Sequence, residues 1–332
     1  MHIQLAHGSG GRETARLIEE IFLPYFKNPI SEPMEDAAVF TLPTQQLAFT
    51  TDSYVVRPLF FPGGDIGRLS VCGTVNDLLT AGAKPVMLSA AFILEEGLCP
   101  NDLRRICRSM ADAAQEAGVQ IVTGDTKVVE GNGGLSITTS GIGVLEQPPV
   151  TFRDAAVGDA ILVSGSLGNH HACILSQRLK MDNTIRSDAA PLVGMVSALR
   201  TAGIPLHGMR DITRGGLATI LNEIGIATSF IPLVEEAAIP VDVEVAAFVR
   251  ILGLDPLTMG NEGKLLLLVP AHAAQQALHI LHASPYGADA ALIGHLTAPE
   301  APHTSPLPVL QTALGGRRLL PPLMGEGLPR IC

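Results

Sequence analysis

Asp65-Ile66-Gly67-Arg68-Leu69-Ser70-Val71-Cys72-Gly73-Thr74-Val75-Asn76-Asp77-Leu78-Leu79-Thr80-Ala81-Gly82-Ala83-Lys84-Pro85 reads as one helix with a defined start and stop, followed at once by an apolar run from Val86 to Leu94. Asp65 is a capping residue, Leu69, Cys72, Val75, Leu78 and Leu79 recur at helical spacing, and Gly82 with Pro85 behind it ends the helix. A helix that feeds directly into a buried strand is the core of an α/β unit.

The same reading extends outward. Gly8-Ser9-Gly10-Gly11 precedes a helix carrying Leu17, Ile18, Ile21, Phe22 and Tyr25, which Pro29 and Pro33 close off. Strands are expected over 37–41, 47–52, 86–94, 119–123 and 135–144, with a helix over 100–117 ended by Gly118. Gln147-Pro148-Pro149 is the best linker, because consecutive prolines cannot join a central strand. Beyond it, strands are expected over 160–164, 208–212, 264–269 and 288–296. Helices are expected over 169–180, 189–202, 214–224 and 271–282. From Pro299 the pattern dissolves into Pro, Gly and small polar residues. The expected organisation is therefore a first α/β domain over residues 1–150, a second over 151–300, and a mobile tail over 301–332. Extended, the part from Gly315 reaches about 55 Å.

Bulk properties remove several function classes. With 332 residues, 47% hydrophobic and 16% charged, the chain is long enough for two well-buried domains and too apolar for disorder. A net charge of -10 argues against nucleic acid as the main partner. The N-terminus lacks the basic start and apolar stretch of a secretion signal, and no apolar run approaches membrane-spanning length, so a cytoplasmic protein is expected. Five scattered cysteines without a CxxC pair indicate neither a disulfide framework nor a structural zinc site. Cys72, Cys99, Cys107 and Cys173 read as inert packing residues.

Cys332, the final residue, differs. A prenylation box needs its cysteine four residues from the end. A thiol at the tip of a Pro/Gly-rich arm has the form of a carrier, loaded in one place and delivered in another; an incidental cysteine is the plainer reading.

Acidic residues recur where strands or turns end: Glu35-Asp36, Asp52, Asn76-Asp77 and Gly124-Asp125. Converging carboxylates repel unless a hard cation lies between them, and Mg²⁺ is normally held by a few carboxylates and phosphate oxygens. Caps and surface acids are the alternative for any one of them. Lys127 stands beside Asp125, placed to neutralise a transferring phosphoryl group or to make a surface ion pair. Neither a GxxxxGK[ST] phosphate loop nor a GxGxxG segment between strand and helix is present. Asp211-Ile212-Thr213-Arg214-Gly215-Gly216 opens a helix with backbone N–H groups available to a ligand. Asn261-Glu262-Gly263 precedes a buried strand and makes Glu262 a candidate proton acceptor.

Taken together, Glu35-Asp36-Ala37-Ala38-Val39, Thr50-Thr51-Asp52, Asn76 to Pro85, Gly124-Asp125-Thr126-Lys127 and Asp211 to Gly216 resemble the PurM-like ATP-binding superfamily, which includes aminoimidazole ribonucleotide synthetase and selenophosphate synthetase. His7-Gly8-Ser9-Gly10-Gly11 and Pro329-Arg330-Ile331-Cys332 are similar to its hydrogenase-maturation carbamoyl dehydratases. Glu35 departs from relatives that often place Asp there.

The resemblance implies two PurM-like α/β domains and a homodimer whose first domains pair into a shared sheet or barrel. It implies ATP with Mg²⁺ held by Asp36, Asp52, Asp77 and Asp125, with Thr126, Asp211, Arg214 and Gly215 contributing to the nucleotide site. Cys332 would carry a carbamoyl group from a HypF-like carbamoyltransferase, and ATP-dependent dehydration would turn the thiocarboxamide into a thiocyanate. Lys127 would stabilise transferring charge, and Glu262 or His7 would act as base. A HypC–HypD complex would accept the cyanide for a nickel–iron hydrogenase. Two other readings stay open: a small-molecule synthetase or kinase of the same superfamily with Cys332 incidental, and a non-catalytic nucleotide-binding scaffold.

Overall fold

The Asp65 carboxylate accepts hydrogen bonds from Gly67 N at 2.7 Å and Arg68 N at 3.0 Å, so the cap read from sequence starts the helix Ile66–Thr80. The computed structural model describes residues 3–8, 16–30, 41, 46–299 and 305–321. The expected strand over 37–41, along with Glu35, Asp36, Ser9 to Gly11 and Cys332, falls wholly or mainly outside them.

In chain order the first half holds α1 (Leu23–Phe26), preceded by a π turn over Ile18–Phe22, then β1 (Leu47–Tyr54), β2 (Phe60–Phe61), β3 (Gly64–Asp65) and α2 (Ile66–Thr80). It continues with β4 (Lys84–Glu95), α3 (Pro100–Ala117), β5 (Gln120–Val129) and β6 (Leu135–Val144). The second half holds β7 (Ala160–Val163), α4 (Asn169–Arg178), α5 (Val193–Thr201), β8 (Gly208–Asp211), α6 (Gly216–Thr228), β9 (Ile231–Glu235) and α7 (Val243–Leu252). It ends with β10 (Leu265–Val269), α8 (Ala274–Ala283), β11 (Ala291–Thr297), β12 (Val309–Gln311) and β13 (Arg317–Leu319).

The first sheet runs β1-β6-β4-β5, with β1 and β5 at its edges. Its residues alternate faces as a pleated strand must. Tyr54, Ile137 and Phe92 are register partners, and all three are buried under α2 and α3. The opposite face is open: Leu47 is 47% exposed, Phe49 70%, Ile93 47% and Val129 41%. A large ring left that far in solvent on a sheet face marks an interaction surface.

The second sheet runs β13-β12-β9-β11-β7-β10-β8. Its inner strands are buried on both faces, so Leu265, Leu267 and Val269 enter one core and Leu266 and Leu268 the other. The first of these cores is continuous with that of the N-terminal half, and α2 packs against β8. The two halves therefore meet where the loops bearing acidic residues gather.

Three sequence expectations change. β5 runs to Val129 rather than ending at 123, because its polar second half is an edge strand with one open face, so Asp125 and Lys127 lie within it. β9 and α7 were not anticipated. Pro232 cannot donate to a ladder, yet it sits inside β9, paired with Leu296 of β11 and just ahead of the β12 pairing that starts at Leu233. The tail reading fails over 309–319, where β12 pairs parallel with β9 and β13 closes a hairpin on it. Leu310 and Leu320 are buried there. Among the described residues no helix is long and apolar enough to cross a membrane.

α4 carries two adjacent buried histidines. His170 Nδ1 lies 2.8 Å from Ser187 Oγ and its ring meets Phe61 edge-on, while His171 Nε2 is buried without a hydrogen-bond partner. Burial pushes both imidazoles down to about 4 from an ordinary 6.5. The unfolded chain binds those protons first, so stability is full above pH 6.5 and is lost as pH falls towards 4. At pH 5 the loss is about 2 kcal/mol per histidine. The melting temperature should therefore drop between pH 7 and pH 5, and drop less in His171→Leu.

Candidate functional site

The acidic positions of the two halves converge at their junction. Asp52 projects from β1 on the face that α2 covers, and Thr50, two residues before it, donates to Asp77 Oδ2 of α2 at 2.9 Å. Across the junction, β8 ends at Asp211 and its loop leads to Arg214 and α6.

Gly215 has φ 78° and Gly216 φ 61°; a Cβ on Gly216 would stand 2.6 Å from Leu257 O and 2.7 Å from Met259 O. Only glycine lets α6 sit that close to the segment leading into Glu262. Asn261, buried, completes the arrangement: its N and Nδ2 donate to Ile212 O at 3.0 and 2.9 Å, and its Oδ1 accepts from Gly168 N at 2.7 Å.

The charges feel one another. Burial pushes the Asp77 carboxyl up, with Asp52 adding to it and Arg210 and Arg214 opposing. Burial, then Asp77 and Asp52, push Asp211 up to about 7. Glu262 is driven well above the carboxylate range by burial and then by Asp188, Asp211 and Asp52, against Arg214. A set of carboxyls that raise one another around two arginines is a site short of positive charge, and carboxylate oxygens are the donors Mg²⁺ prefers. Among the described residues no three His, Cys, Asp or Glu side chains stand close enough to hold a metal alone. Of the other two expected ligands, Asp36 lies outside them and Asp125 is not at this junction.

Asp125, Thr126 and Lys127 stand elsewhere. In register, Asp52 faces Thr139, Thr139 faces Ala90, and Ala90 faces Gly124, which puts three interstrand spacings, about 14 Å, between β1 and β5 at this level. Asp125 pairs in register with Ala91, and Ala91 with Thr138, which pairs with Ser53, so Asp125 occupies the open face and Asp52 the covered one. Both Asp125 and Lys127 are exposed, and they form an ion pair at 3.0 Å. The Lys127 ammonium and the Thr126 N–H hold the Asp125 carboxyl below its ordinary value. His7 lies in the turn Leu5–Gly8 packed against β5, with Nδ1 3.1 Å from Gln4 N, and lines a cavity of about 290 Å³ with Cys99 and Arg104. One chain thus displays two groups of expected site residues, at opposite edges and faces of a sheet.

Two family models match in sequence order: AIR synthase related protein, N-terminal domain, over residues 34–145, and AIR synthase related protein, C-terminal domain, over residues 156–303. The carbamoyl dehydratase HypE of Rhizobium leguminosarum bv. viciae is 47% identical over 336 residues, covering 99% of this chain and 95% of the relative. The chain belongs to the HypE family of AIR synthase related proteins. A crystal structure of a HypE hydrogenase maturation protein in complex with ATP matches with a TM-score of 0.94 and 48% identity, covering 99% of each chain. A crystal structure of a HypE–HypF complex matches with a TM-score of 0.79 and 43% identity over 92% of this chain and 99% of that one.

In this HypE-family chain, Thr50, Asn76 and Asn261 are site-supporting residues that the sequence motifs include but to which the sequence alone assigns no role. Asn76 Nδ2 donates to Ala190 O at 2.9 Å and its Oδ1 accepts from Leu192 N at 2.9 Å, docking the helix of Asp77 onto the second half. A polar side chain on the apolar stripe of α2 was the available signal, since a buried amide needs partners. Three of the four described cysteines suit the HypE-family reading of Cys332 as sole carrier. Cys72, Cys107 and Cys173 are buried with their thiols pushed up, Cys72 to about 12 and Cys173 to about 11.

Proposed function

We propose that this chain dehydrates a carbamoyl group carried on Cys332, turning an S-carbamoyl cysteine into an S-cyanato cysteine with conversion of ATP to ADP and phosphate. The carboxyl-lined junction of Asp52, Asp77, Asp211 and Glu262, in a chain 48% identical to a HypE solved with ATP, is the observation that carries the reading. A HypF-like carbamoyltransferase loads the thiol, supported by the solved HypE–HypF pair, and a HypC–HypD complex receives the cyanide for a nickel–iron hydrogenase. The reaction belongs to the cytoplasm. The working boundaries remain 1–150 and 151–300, with the carrier arm confined to the part of 301–332 that follows β13.

Asp52 and Asp77, with Asp36, would hold Mg²⁺, while Asp211, Arg214 and the N–H groups after Gly215 would line the nucleotide site. When bound, Mg²⁺ would supply positive charge beside these carboxylates, and ATP the phosphoryl group that makes the amide oxygen a leaving group. With that field offset, Glu262 accepts the nitrogen proton as the C–O bond breaks and phosphate departs with the oxygen.

A second copy of the chain covers the open face of Leu47, Phe49, Ile93 and Val129. A two-fold dimer sets the β5 edge of one protomer against the β1 edge of the other, so Asp125, Thr126 and Lys127 complete the partner's site. Lys127 then stabilises the charge in transfer.

Intact-mass measurement tests this. Incubated with the HypF-like partner, carbamoyl phosphate and ATP, the chain should gain one carbamoyl group and then lose one water. A Cys332 that never changes mass would leave small-molecule phosphotransfer as the activity.

A further inference from the structure

Residues 185–192, between α4 and α5, form a strap that touches both halves of the molecule. Ser187 N donates to Pro62 O at 2.8 Å, Arg68 Nε donates to Ala189 O at 2.8 Å, and Asn76 holds Ala190 and Leu192 as described. At its centre, Asp188 Oδ1 accepts the Glu262 N–H at 3.2 Å, and Asp188 Oδ2 lies 3.6 Å from Lys264 Nζ. The two side chains are 6% and 10% exposed. Ala190 N donates to Glu262 O at 3.4 Å, so both backbone groups of Glu262 are tied to the strap.

Two glycines make this approach possible. A Cβ on Gly263 would stand 2.0 Å from Asp188 O, and one on Gly165 would press the Lys264 stem at 3.1 Å. The pair lines a cavity of about 380 Å³ with Arg68, Arg186 and Tyr286. Asp52 and Asp77 do not line it. A buried ion pair is a poor route to stability, because desolvation offsets its attraction. Its position suggests another use: it grips the peptide that carries the expected base.

We propose that Asp188 is a positioning residue, whose carboxylate, anchored by Lys264, holds the Glu262 peptide so that the Glu262 carboxyl meets the amide proton of the substrate. This rests on the reading of Glu262 as the base. A displacement of about 1 Å at such a group slows a reaction on the order of a hundredfold, without weakening the binding of a co-substrate held elsewhere.

The test uses the full-length chain with its HypF-like partner, carbamoyl phosphate and ATP, following the carbamoylated and dehydrated masses in a single turnover and measuring the KM for ATP. Asp188→Ala should dehydrate at least about tenfold more slowly than wild type, with ATP KM and carbamoylation unchanged. Asp188→Asn keeps an acceptor for the Glu262 N–H but loses the ionic anchor to Lys264, and should recover only part of that rate. Lys264→Met leaves the strap's backbone bonds in place, frees the carboxylate, and should be slowed like Asp188→Ala; it decides the matter if Asp188→Ala does not fold. Dehydration at the wild-type rate in these two variants, or a raised ATP KM with kcat intact, overturns the proposal. Wild-type protein that never loses water overturns the function itself, so the two failures are distinguishable.

Discussion

Cys332→Ala is expected to abolish both carbamoyl uptake and loss of water while leaving ATP binding at the wild-type level. Carbamoyl transfer needs a thiolate, and three of the four described cysteines offer no substitute. Cys72, Cys107 and Cys173 are buried, and burial pushes their thiols up, so the nucleophilic form is negligible at neutral pH. Cys99 is half-buried before α3, in the cavity lined by His7 and Arg104. The junction carboxyls and Arg214 remain as they were, so nucleotide affinity measured by calorimetry should not move. A carbamoyl adduct on the variant would show that the carrier is another residue.

Mixing two inactive variants should restore about a quarter of wild-type activity, provided protomers exchange freely. Asp77→Asn removes a carboxylate from the α2 side of the site and Lys127→Ala a cation from the β5 side. Each homodimer should lose on the order of a hundredfold or more in turnover, the scale seen when a charge aimed at a transition state is removed. In a mixed dimer, one site carries both defects and the other neither. Half of the dimers in an equal mixture are mixed, and each has one intact site of two, which gives the quarter. The prediction follows from the separation of Asp52 and Asp125, which lie three strands apart and on opposite faces and so do not meet within one chain. No recovery on mixing would mean that each chain works alone. Phe49→Asp, which puts a charge on the open face, should yield monomers on gel filtration and abolish the complementation.

What could be read from the sequence depended on whether a residue's task was local. Asp65 caps its own helix, Gly118 closes α3 in the left-handed conformation and Pro148-Pro149 separates two sheets, and all three tasks are settled within a few residues. Asp52, Asp77, Asp211 and Glu262 could be singled out one by one, but their convergence needs α2 against β8, a contact between halves that no local pattern encodes. Asp125 was misplaced at a strand end because the apolar run stops at Val122. β5 continues as a polar edge strand, where alternation with one open face replaces a continuous apolar stretch. β9 is hard to read for a related reason: Pro232 lacks a donor, yet it sits at the second position of the strand, paired with Leu296 of β11 and ahead of the β12 pairing that starts at Leu233. Asp188 gave no signal at all, since its value lies in a backbone N–H seventy-four positions away.

The hairpin of β12 and β13 also fixes where the arm leaves the molecule. Leu320 O accepts from Asn222 Nδ2 of α6 at 2.8 Å, and Arg318 pairs with Asp255 at 3.2 Å. Asn222 is seven residues past Gly215, about 10 Å along the axis of α6. The eleven residues from Pro322 to Cys332 span at most about 36 Å. A sulfur leashed within that radius is present at an effective concentration in the millimolar range. The enzyme therefore has no need of affinity for its own cargo. Dehydration should be first order in protein at every dilution that leaves the dimer intact, and free S-carbamoyl cysteine should compete only when it reaches comparable concentration.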